Sequence, residues 1–208
     1  MKVTTVVVGP IQTNCYLVED AGELIVIDPG DELDTILGAL SGRAVTGIVC
    51  THYHWDHVSA LAGLAQATGA PVALSQTDAV KVDGVSILDG HGIARGAAPV
   101  KVTRLLHEGD EVGVGTASFT VIETPGHTPG SICLYSEAEH VLFAGDTLFA
   151  GGSFGRTDFA DGDFSAIVHS MRDKLSLLPD ETAILCGHGR PTTMRAERAA
   201  NPYLAQRR

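Results

Sequence analysis

The amino-acid sequence predicts one domain of the α/β (α+β) class, in which two sheets pack face to face and helices cover their outer faces. Two observations carry this prediction. Short segments rich in β-branched residues alternate with segments of helical periodicity, and the order of strands and helices occurs twice along the chain. The chain has 208 residues, 44% of them hydrophobic, which suits a single domain over residues 1–208 without an internal linker.

In the N-terminal half, strands are predicted where Val, Ile and Thr are frequent and Gly, Pro or charged residues follow: 3–8, 14–19, 23–28 and 46–51. Two helices are predicted over 31–40 and 56–67, because Leu and Ile recur there three or four residues apart. The segment 84–99 is rich in Gly and Ala and has no clear period. We expect it to form a surface loop or a weak helix.

The C-terminal half has the same kinds of segment. Strands are predicted over 111–114, 118–124, 131–136, 140–144 and 182–186. Helices are predicted over 164–178, where one face carries Ile, Val, Met and Leu, and over 192–200. The two halves resemble each other only in pattern, since no sequence repeat occurs at a fixed period.

The composition excludes several classes of protein. Lys and Arg number 14 and Asp and Glu 25, and the formal net charge of -11 has the wrong sign for nucleic acid as a partner. The four cysteines form no C-x-x-C pair, which favours reduced, buried thiols over a zinc ribbon or a redox pair. No segment has the apolar length of a membrane span, and the N-terminal segment lacks the features of a signal peptide. We therefore expect a cytoplasmic protein with no membrane partner.

The densest group of metal-ligand side chains lies in the heptapeptide T-H-Y-H-W-D-H at 51–57, directly after a predicted strand. In extended backbone, side chains two residues apart point the same way, so His52 and His54 can converge on one metal ion. Asp56 and His57 enter the first turn of the next helix and can serve a second ion. Three imidazoles and one carboxylate in so short a segment favour a transition-metal site over a role in packing.

Three more ligand-type side chains follow predicted strands in the second half of the chain. His127 lies in T-P-G-H-T-P-G, Asp146 in G-D-T and His188 in C-G-H-G. If these strand ends share one edge of the sandwich, all seven side chains converge there, on loops held by a rigid scaffold. The sequence therefore predicts one metal centre built from both halves.

The motifs T-H-Y-H-W-D-H, P-G-H-T-P-G-S, G-D-T-L-F and C-G-H-G, which follow I-D-P-G at 27–30, resemble the metallo-β-lactamase superfamily over nearly the whole chain. The resemblance implies a four-layer αββα sandwich, the metallo-β-lactamase fold, and a hydrolase site with two divalent metal ions, zinc in the first place and iron or manganese as alternatives. It also implies these roles: His52, His54 and His127 on one metal, Asp56, His57 and His188 on the other, Asp146 between them, and Asp28 holding a ligand imidazole through its other ring nitrogen.

Within the superfamily, the segment G-D-T-L-F-A-G-G-S-F-G-R-T-D-F at 145–159 is similar to glyoxalase II (hydroxyacylglutathione hydrolase) and its relatives. The ending N-P-Y-L at 201–204 resembles the short, single-domain members of that group. True zinc β-lactamases match less well, because they usually carry Cys in place of Asp146 or vary the ligand set in other ways.

Three residues are candidates for a substrate loop. Arg156 can reach an anionic substrate or brace the loop through Asp158, and Tyr53 can form a wall of the site or pack beneath it. Beyond the ligands, the sequence shows no obvious general acid, although Tyr53, Asp158 and His107 stay open for that role.

The resemblance implies that hydroxide held between two metals attacks a carbonyl group, with Asp56 and Asp146 as the catalytic carboxylates. A thioester such as S-lactoylglutathione suits this site better than an amide, since a thiolate leaves without a separate general acid. We therefore expect an anionic thioester as the small-molecule substrate. The alternative on the same fold is a persulfide dioxygenase with one Fe(II) held by His52, His127 and Asp146. The acyl group, the physiological metal and the oligomeric state stay open.

Overall fold

Two sheets form the centre of the molecule in the computed structural model, which describes residues 1–82 and 100–204. Within these ranges each sheet has six strands. The first sheet has the order β1 to β6: β1 Lys2–Val8, β2 Thr13–Asp20, β3 Glu23–Ile27, β4 Gly47–Val49, β5 Val72–Ser75 and β6 Arg104–Leu106. The second has the order β12 to β7: β7 Glu111–Val114, β8 Ala117–Glu123, β9 Ile132–Ser136, β10 Val141–Gly145, β11 Ala183–Cys186 and β12 Thr192–Thr193.

Helices follow the strands in both halves. The first half contains α1 Leu33–Leu40, α2 Trp55–Val58, α3 Leu61–Thr68 and α4 Gln76–Val82. The second contains α5 Phe164–His169, which continues as a π-helical segment Ser170–Lys174 and a 3₁₀ turn Leu175–Leu177, and α6 Met194–Ala200. In the described ranges, every helix is too short or too polar to cross a bilayer.

Alternation along the strands produces four layers. On β2, Leu17 packs in a cluster with residues of α1 and α3, whereas its neighbour Val18 packs in a second cluster with Phe119 and Phe143 of the other sheet. Successive strand residues face opposite sides, so each sheet buries one face against its helices and the other against its partner sheet. A third cluster, which includes Met171, covers the outer face of the second sheet. The prediction of two sheets face to face with helices outside is confirmed.

Some predicted elements differ from those observed. The helix expected over 56–67 is two helices, α2 and α3. Between them the Ala60 N–H donates to the Pro29 carbonyl (3.1 Å), and the Ser59 N–H is shared between the carbonyls of Trp55 (2.8 Å) and Gly30 (3.0 Å). The helix expected over 164–178 is α-helical only to His169.

Other differences concern elements that were not predicted or cannot be compared. The strands β5 and β6 and the helix α4 were not predicted, since they are short and show neither alternation nor helical period clearly. The segment 84–99, expected to be a loop or weak helix, lies outside the described residues.

Candidate metal centre

The seven predicted ligands lie together at one edge of the sandwich. Their ligand atoms form three groups, each with all atoms within 4.8 Å of one another: His52, His54 and His127; His52, His57 and Asp146; Asp56, His57 and His188. Four of the ligands, which lie between residues 52 and 57, follow β4 of the first sheet. The other three, His127, Asp146 and His188, follow β8, β10 and β11 of the second sheet, respectively. The loops at these strand ends therefore bring both halves of the chain to one site.

Asp146 lies between the two sets of ligands that the resemblance implies. Its Oδ1 is 3.3 Å from His57 Nε2, and its Oδ2 is 3.4 Å from His127 Nε2 and 3.5 Å from His188 Nε2. The carboxylate thus contacts imidazoles of both sets, as a bridging position requires. Gly187 makes room for it, because a Cβ at that position would overlap Asp146 Oδ1.

Three buried ligand atoms make no hydrogen bond of normal geometry: His52 Nε2, His57 Nε2 and Asp146 Oδ1, the last two of which lie 3.3 Å apart. A buried polar atom without a partner costs free energy, so such atoms call for an explanation. Imidazole nitrogen and carboxylate oxygen are ligands that zinc and other transition metals accept. The donor set therefore fits divalent metal ions at the centre of the cluster.

Hydrogen bonds on the far side of three imidazoles orient them toward the cluster. The Nδ1 atoms of His57, His127 and His188 lie 3.0, 2.7 and 3.1 Å from Asp28 Oδ2, the Arg156 carbonyl and the Ile11 carbonyl, respectively. Carboxylate and carbonyl oxygens only accept, so each Nδ1 carries a hydrogen, and each ring in its neutral form presents the lone pair of Nε2 to the cluster. The resemblance of the motifs implied this kind of contact for Asp28.

Asp28 also organises the loop that carries the first ligands. Its Oδ1 accepts the N–H of Thr51 at 2.7 Å, and its Oδ2 accepts the Thr51 hydroxyl at 2.8 Å. The Thr51 hydroxyl in turn lies 3.0 Å from His52 Nδ1. One buried carboxylate therefore orients His57 directly and holds the backbone just before His52.

Burial and neighbouring charges lower the pKa of some ligand imidazoles and raise that of others. Burial, together with neighbouring histidines, lowers the pKa of His52 well below 6.5 and that of His54 to about 4, so both are neutral at pH 7. Burial also disfavours the charged forms of His57 and His188, but adjacent carboxylates outweigh it, and they raise the pKa of His57 strongly and that of His188 to about 10. A position that favours a proton also favours a metal cation, which would displace that proton.

The start of β2 contributes two residues that the sequence did not single out. The Thr13 hydroxyl donates to Asp56 Oδ2 at 2.9 Å, and Thr13 forms an isolated β-bridge with His188. The Asn14 amide donates to the carbonyls of Cys186 and Gly189, both at 2.9 Å. The contacts of Asn14 join residues 172 and 175 positions apart. No local pattern in the sequence indicates them.

Asp78 at the start of α4 was also missed. Its carboxylate accepts the N–H of Tyr53 (3.2 Å) between the ligands of one loop, and the hydroxyl of Thr128 (2.6 Å) and the N–H of Gly130 (2.8 Å) in the loop after His127. Burial raises its pKa to about 6. Like the ligands, Asp78 lies shortly after the end of a strand. The sequence did not indicate this position, because the strand before it, β5, was not predicted.

A cavity of about 540 Å³ opens above the cluster. Its floor includes five of the predicted ligands, and its walls include Ile11, Trp55, Phe149, Phe154, Arg156 and Phe159. A volume of this size is in the range of small-molecule sites. The cavity supplies space for a substrate directly at the predicted metals.

The three candidates for a substrate loop have structural contacts. Arg156 forms a two-pronged pair with Asp158, at 2.8 and 2.9 Å, and its guanidinium carbon lies 4.7 Å from the centre of the Phe159 ring. This is the loop-bracing contact that the sequence offered as one alternative. Tyr53 is buried, and its hydroxyl donates to Asp161 at 2.5 Å. A direct role of the three in substrate binding stays a prediction.

Two described histidines that belong to none of the metal-ligand motifs, His107 and His169, have other partners. His107 Nε2 contacts Gln76 Oε1 at 2.7 Å, and His169 Nδ1 contacts the Ser165 carbonyl at 2.6 Å. Both contacts are exposed. His91 lies outside the described residues. All four cysteines are unpaired and buried, as expected.

Proteins of similar sequence cover the whole length of the chain. The probable metallo-hydrolase YqgX of Bacillus subtilis is 36% identical over 98% of both chains. Hydroxyacylglutathione hydrolase GloC of Haemophilus influenzae is 32% identical, also over 98% of both chains. The similarity is thus not confined to the ligand motifs.

Solved structures show the same fold. TTHA1623 in a di-iron-bound form has a TM-score of 0.86 and 38% identity, and the match covers 97% of this chain and 100% of that one. The BLEG-1 B3 metallo-beta-lactamase has a TM-score of 0.86 and 33% identity, covering 99% and 100%. ETHE1 from Myxococcus xanthus has a TM-score of 0.79 and 30% identity, covering 99% and 85%.

A family model described as the metallo-beta-lactamase superfamily matches residues 8–188. This match spans most of the chain and includes all seven predicted ligands. The fold and the family resemblance predicted from the motifs are confirmed. The chain belongs to the metallo-beta-lactamase superfamily.

Proposed function

We propose that this metal-dependent hydrolase cleaves an anionic thioester, such as S-lactoylglutathione, with two divalent metal ions in the site. One observation carries the proposal. Seven ligand-type side chains converge beneath a cavity, and three of their buried atoms make no hydrogen bond of normal geometry. Such an arrangement is costly unless cations occupy it.

The residues present supply two ligand sets. His52, His54 and His127 would hold one ion, Asp56, His57 and His188 the other, and Asp146 would contact both. Zinc suits this mixture of imidazole and carboxylate, and iron and manganese remain alternatives. Divalent ions at these positions would supply Lewis acidity and activate water as a nucleophile at neutral pH.

The chain itself orients the ligands and shapes the space for the substrate. Asp28 and two backbone carbonyls fix the tautomers of three imidazoles, and Thr13 fixes the orientation of Asp56 through its 2.9 Å hydrogen bond. The cavity walls place apolar groups beside the ligands, which excludes bulk water from one side of a bound substrate. Residues of the chain thus position the ligands and the substrate, and this role is the same for any acyl substrate.

The leaving group distinguishes a thioester from an amide. In hydrolysis, a bond forms between the carbonyl carbon and the water oxygen, the carbon–sulfur bond breaks, and the products are a carboxylate, a thiol and a proton. A thiolate leaves without protonation, since the pKa of a thiol is near 8.5. Among the described residues that line the cavity, the ionisable ones are the ligands and Arg156, and Arg156 is a poor acid because it is effectively always protonated. A thioester therefore suits the site better than an amide, whose nitrogen needs a proton.

A persulfide dioxygenase with one Fe(II) on His52, His127 and Asp146 is the other candidate. It needs three ligands with open positions for O₂. In this chain Asp56, His57 and His188 form a second group with ligand atoms within 4.8 Å. A complete second set of ligands favours the two-metal hydrolase.

The metal content and two assays on one batch of protein test these functions. We expect about two equivalents of metal, and hydrolysis of S-lactoylglutathione measured by thiol release. Fully active protein with fewer than two equivalents would contradict the two-metal site. Oxygen uptake with glutathione persulfide in iron-loaded protein, without thioester hydrolysis, would replace the hydrolase by the dioxygenase.

The variant Asp146→Ala tests the shared ligand. It removes the carboxylate that contacts both sets, so we expect loss of hydrolysis and of at least one equivalent of metal. Asp173→Ala serves as the matched control, because Asp173 is exposed and pairs with Arg172 on the outer helix. Full activity in Asp146→Ala would refute the assignment.

A further inference from the structure

The cavity above the ligand cluster has mainly aromatic and aliphatic walls. Trp55, Phe149, Phe154 and Phe159 line it together with Ile11. The charged groups of the ligands lie at the floor, where the metals would neutralise them. Beyond the floor, a bound group therefore meets apolar surface.

Apart from the ligand histidines, Arg156 is the only cationic side chain among the described lining residues, and it is already paired. Arg156 donates two hydrogen bonds to Asp158, and its guanidinium lies over the Phe159 ring. The pair has no net charge, so it offers little attraction to a further carboxylate. A charged group placed against these walls would lose its hydration without gaining a partner, which is unfavourable.

The aromatic wall is held in place by the C-terminal segment. The buried carboxylate of Glu197 on α6 accepts the N–H groups of Gly151 (3.0 Å) and Gly152 (2.6 Å), in the loop that carries the wall residues. Behind the wall, the ring of Tyr203 lies 5.9 Å from that of Phe154, centroid to centroid. The loop side of the wall is thus held by contacts within the chain, which do not depend on a bound substrate.

We propose that the cavity binds an apolar, ring-bearing acyl group, and that the enzyme prefers thioesters of such acids over thioesters of small polar acids. This inference rests on the proposed thioesterase function and names its acyl specificity. The biological thiols that carry acyl groups are themselves charged, so the desolvation argument leaves the thiol half outside the apolar walls and puts the uncharged acyl half inside.

Two substrates that differ only in the acyl side chain test the preference. S-mandeloylglutathione carries a phenyl ring where S-lactoylglutathione carries a methyl group, and the thiol and the α-hydroxyl are the same. We expect kcat/KM to be higher for the mandeloyl ester by about tenfold or more, because a buried ring gains more than a methyl group. Equal values, or a preference for the lactoyl ester, would overturn the proposal.

A binding measurement tests the cavity without requiring bound metal or catalytic activity. Trp55 is the only tryptophan of the chain and lines the cavity, so its fluorescence reports on occupants. In chelator-treated protein, the neutral amide of mandelic acid is expected to change this fluorescence at concentrations about tenfold lower than the amide of lactic acid. If neither thioester is hydrolysed but mandelamide still binds more tightly than lactamide, the thioesterase function fails and the apolar cavity stands. Equal binding of the two amides would contradict the cavity assignment.

A pair of variants locates the preference in the cavity. Ile11→Asn makes the wall more polar and keeps the backbone carbonyl that His188 contacts, and we expect it to reduce the mandeloyl-to-lactoyl ratio by about threefold or more. Leu177→Asn is the control, since both side chains are exposed, 50% for Ile11 and 77% for Leu177, but only Ile11 lines the cavity. An unchanged ratio in Ile11→Asn, or an equal loss in Leu177→Asn, would contradict the proposal.

Discussion

Asp28 illustrates how one carboxylate can determine the chemistry of its neighbours. It follows β3 with φ of 53°, in the left-handed region, and this conformation turns its side chain under the ligand loop. There it accepts from Thr51 twice and from His57 Nδ1. Its effect on a metal would therefore be indirect, through the orientation and basicity of an imidazole.

The variant Asp28→Asn tests this role. An amide keeps the size of the side chain but weakens the hydrogen bond that the His57 N–H donates, so we expect metal affinity to fall about 10- to 100-fold. Competition with a chromophoric chelator measures it, and circular dichroism checks the fold. The control is Asp34→Asn on the exposed face of α1. Unchanged affinity in Asp28→Asn would show that the contact does not tune the site.

Asp78 predicts a pH dependence of folding stability. Burial raises its pKa to about 6, above the value of 3.8 for an exposed carboxyl group, so between these values the folded state binds more protons than the unfolded state. Stability from this group is present at low pH and declines as the pH rises toward 6, by up to about 3 kcal/mol. The variant Asp78→Asn lacks this ionisable carboxyl group, so its stability does not include this contribution.

Urea unfolding of chelator-treated protein measures the effect. Between pH 4 and 6, we expect the free energy of unfolding of the unmodified protein to fall relative to that of Asp78→Asn. The difference between the two proteins isolates Asp78, because the other titrating groups are common to both. Parallel curves over this range would contradict a raised pKa.

At the scale of elements, the site depends on where strands end. The loops after β4, β8, β10 and β11 carry the ligands, and each loop begins where a buried strand fixes its direction. The sequence could predict this because ligand-type residues and Gly or Pro follow runs of β-branched residues. It could not predict β5, and hence the role of Asp78, because a four-residue strand is too short to show a period.

The helix α6 acts on the site without touching the ligands. Glu197 holds Gly151 and Gly152 of the cavity loop, and it also accepts the Thr192 hydroxyl at 2.7 Å. In Glu197→Gln, one oxygen must serve these donors, so we expect the free energy of unfolding to fall by about 1–3 kcal/mol. The KM of the thioester should rise more than kcat falls, because the loop lines the cavity where the substrate binds but supplies none of the predicted metal ligands.

Denaturant unfolding and steady-state kinetics check the role of α6. Glu181→Gln is the matched control, because Glu181 is exposed. The same stability and KM in Glu197→Gln as in the unmodified protein would mean that α6 does not hold the loop.

At the scale of the whole molecule, the ligands connect the two sheets. The cluster contains residues that follow strands of both sheets, so bound metal would link the halves at one edge. Metal that binds only the folded chain stabilises it by mass action, by about 2.7 kcal/mol at a free concentration of one hundred times the dissociation constant. For a chain of this length, the midpoint of thermal unfolding should rise by roughly 5–10 °C.

Calorimetry with and without chelator measures this shift. We expect zinc to raise the midpoint in the unmodified protein and to have much less effect in Asp146→Ala, which lacks the shared carboxylate. An equal midpoint with and without metal in the unmodified protein would contradict a structural link between the sheets.

The sequence by itself determined the order of most strands and helices and the identity of seven side chains with ligand chemistry. Alternation and helical period are local properties, and ligand residues next to turns are visible in a short window. The resemblance of the motifs added the division of the ligands into two sets. Thr13, Asn14, Asp78 and Glu197 were not identified.

Only the tertiary structure decided how these residues meet. Thr13 reaches Asp56 over 43 positions, and Asn14 reaches Cys186 over 172, because two sheets must share one edge before either contact exists. The apolar walls of the cavity also come from separate segments, around Ile11, Trp55 and Phe154. Long-range packing, unlike local periodicity, leaves no regular trace in sequence, so the ligands could be predicted from the chain and their supporting contacts, that of Asp28 with His57 apart, could not.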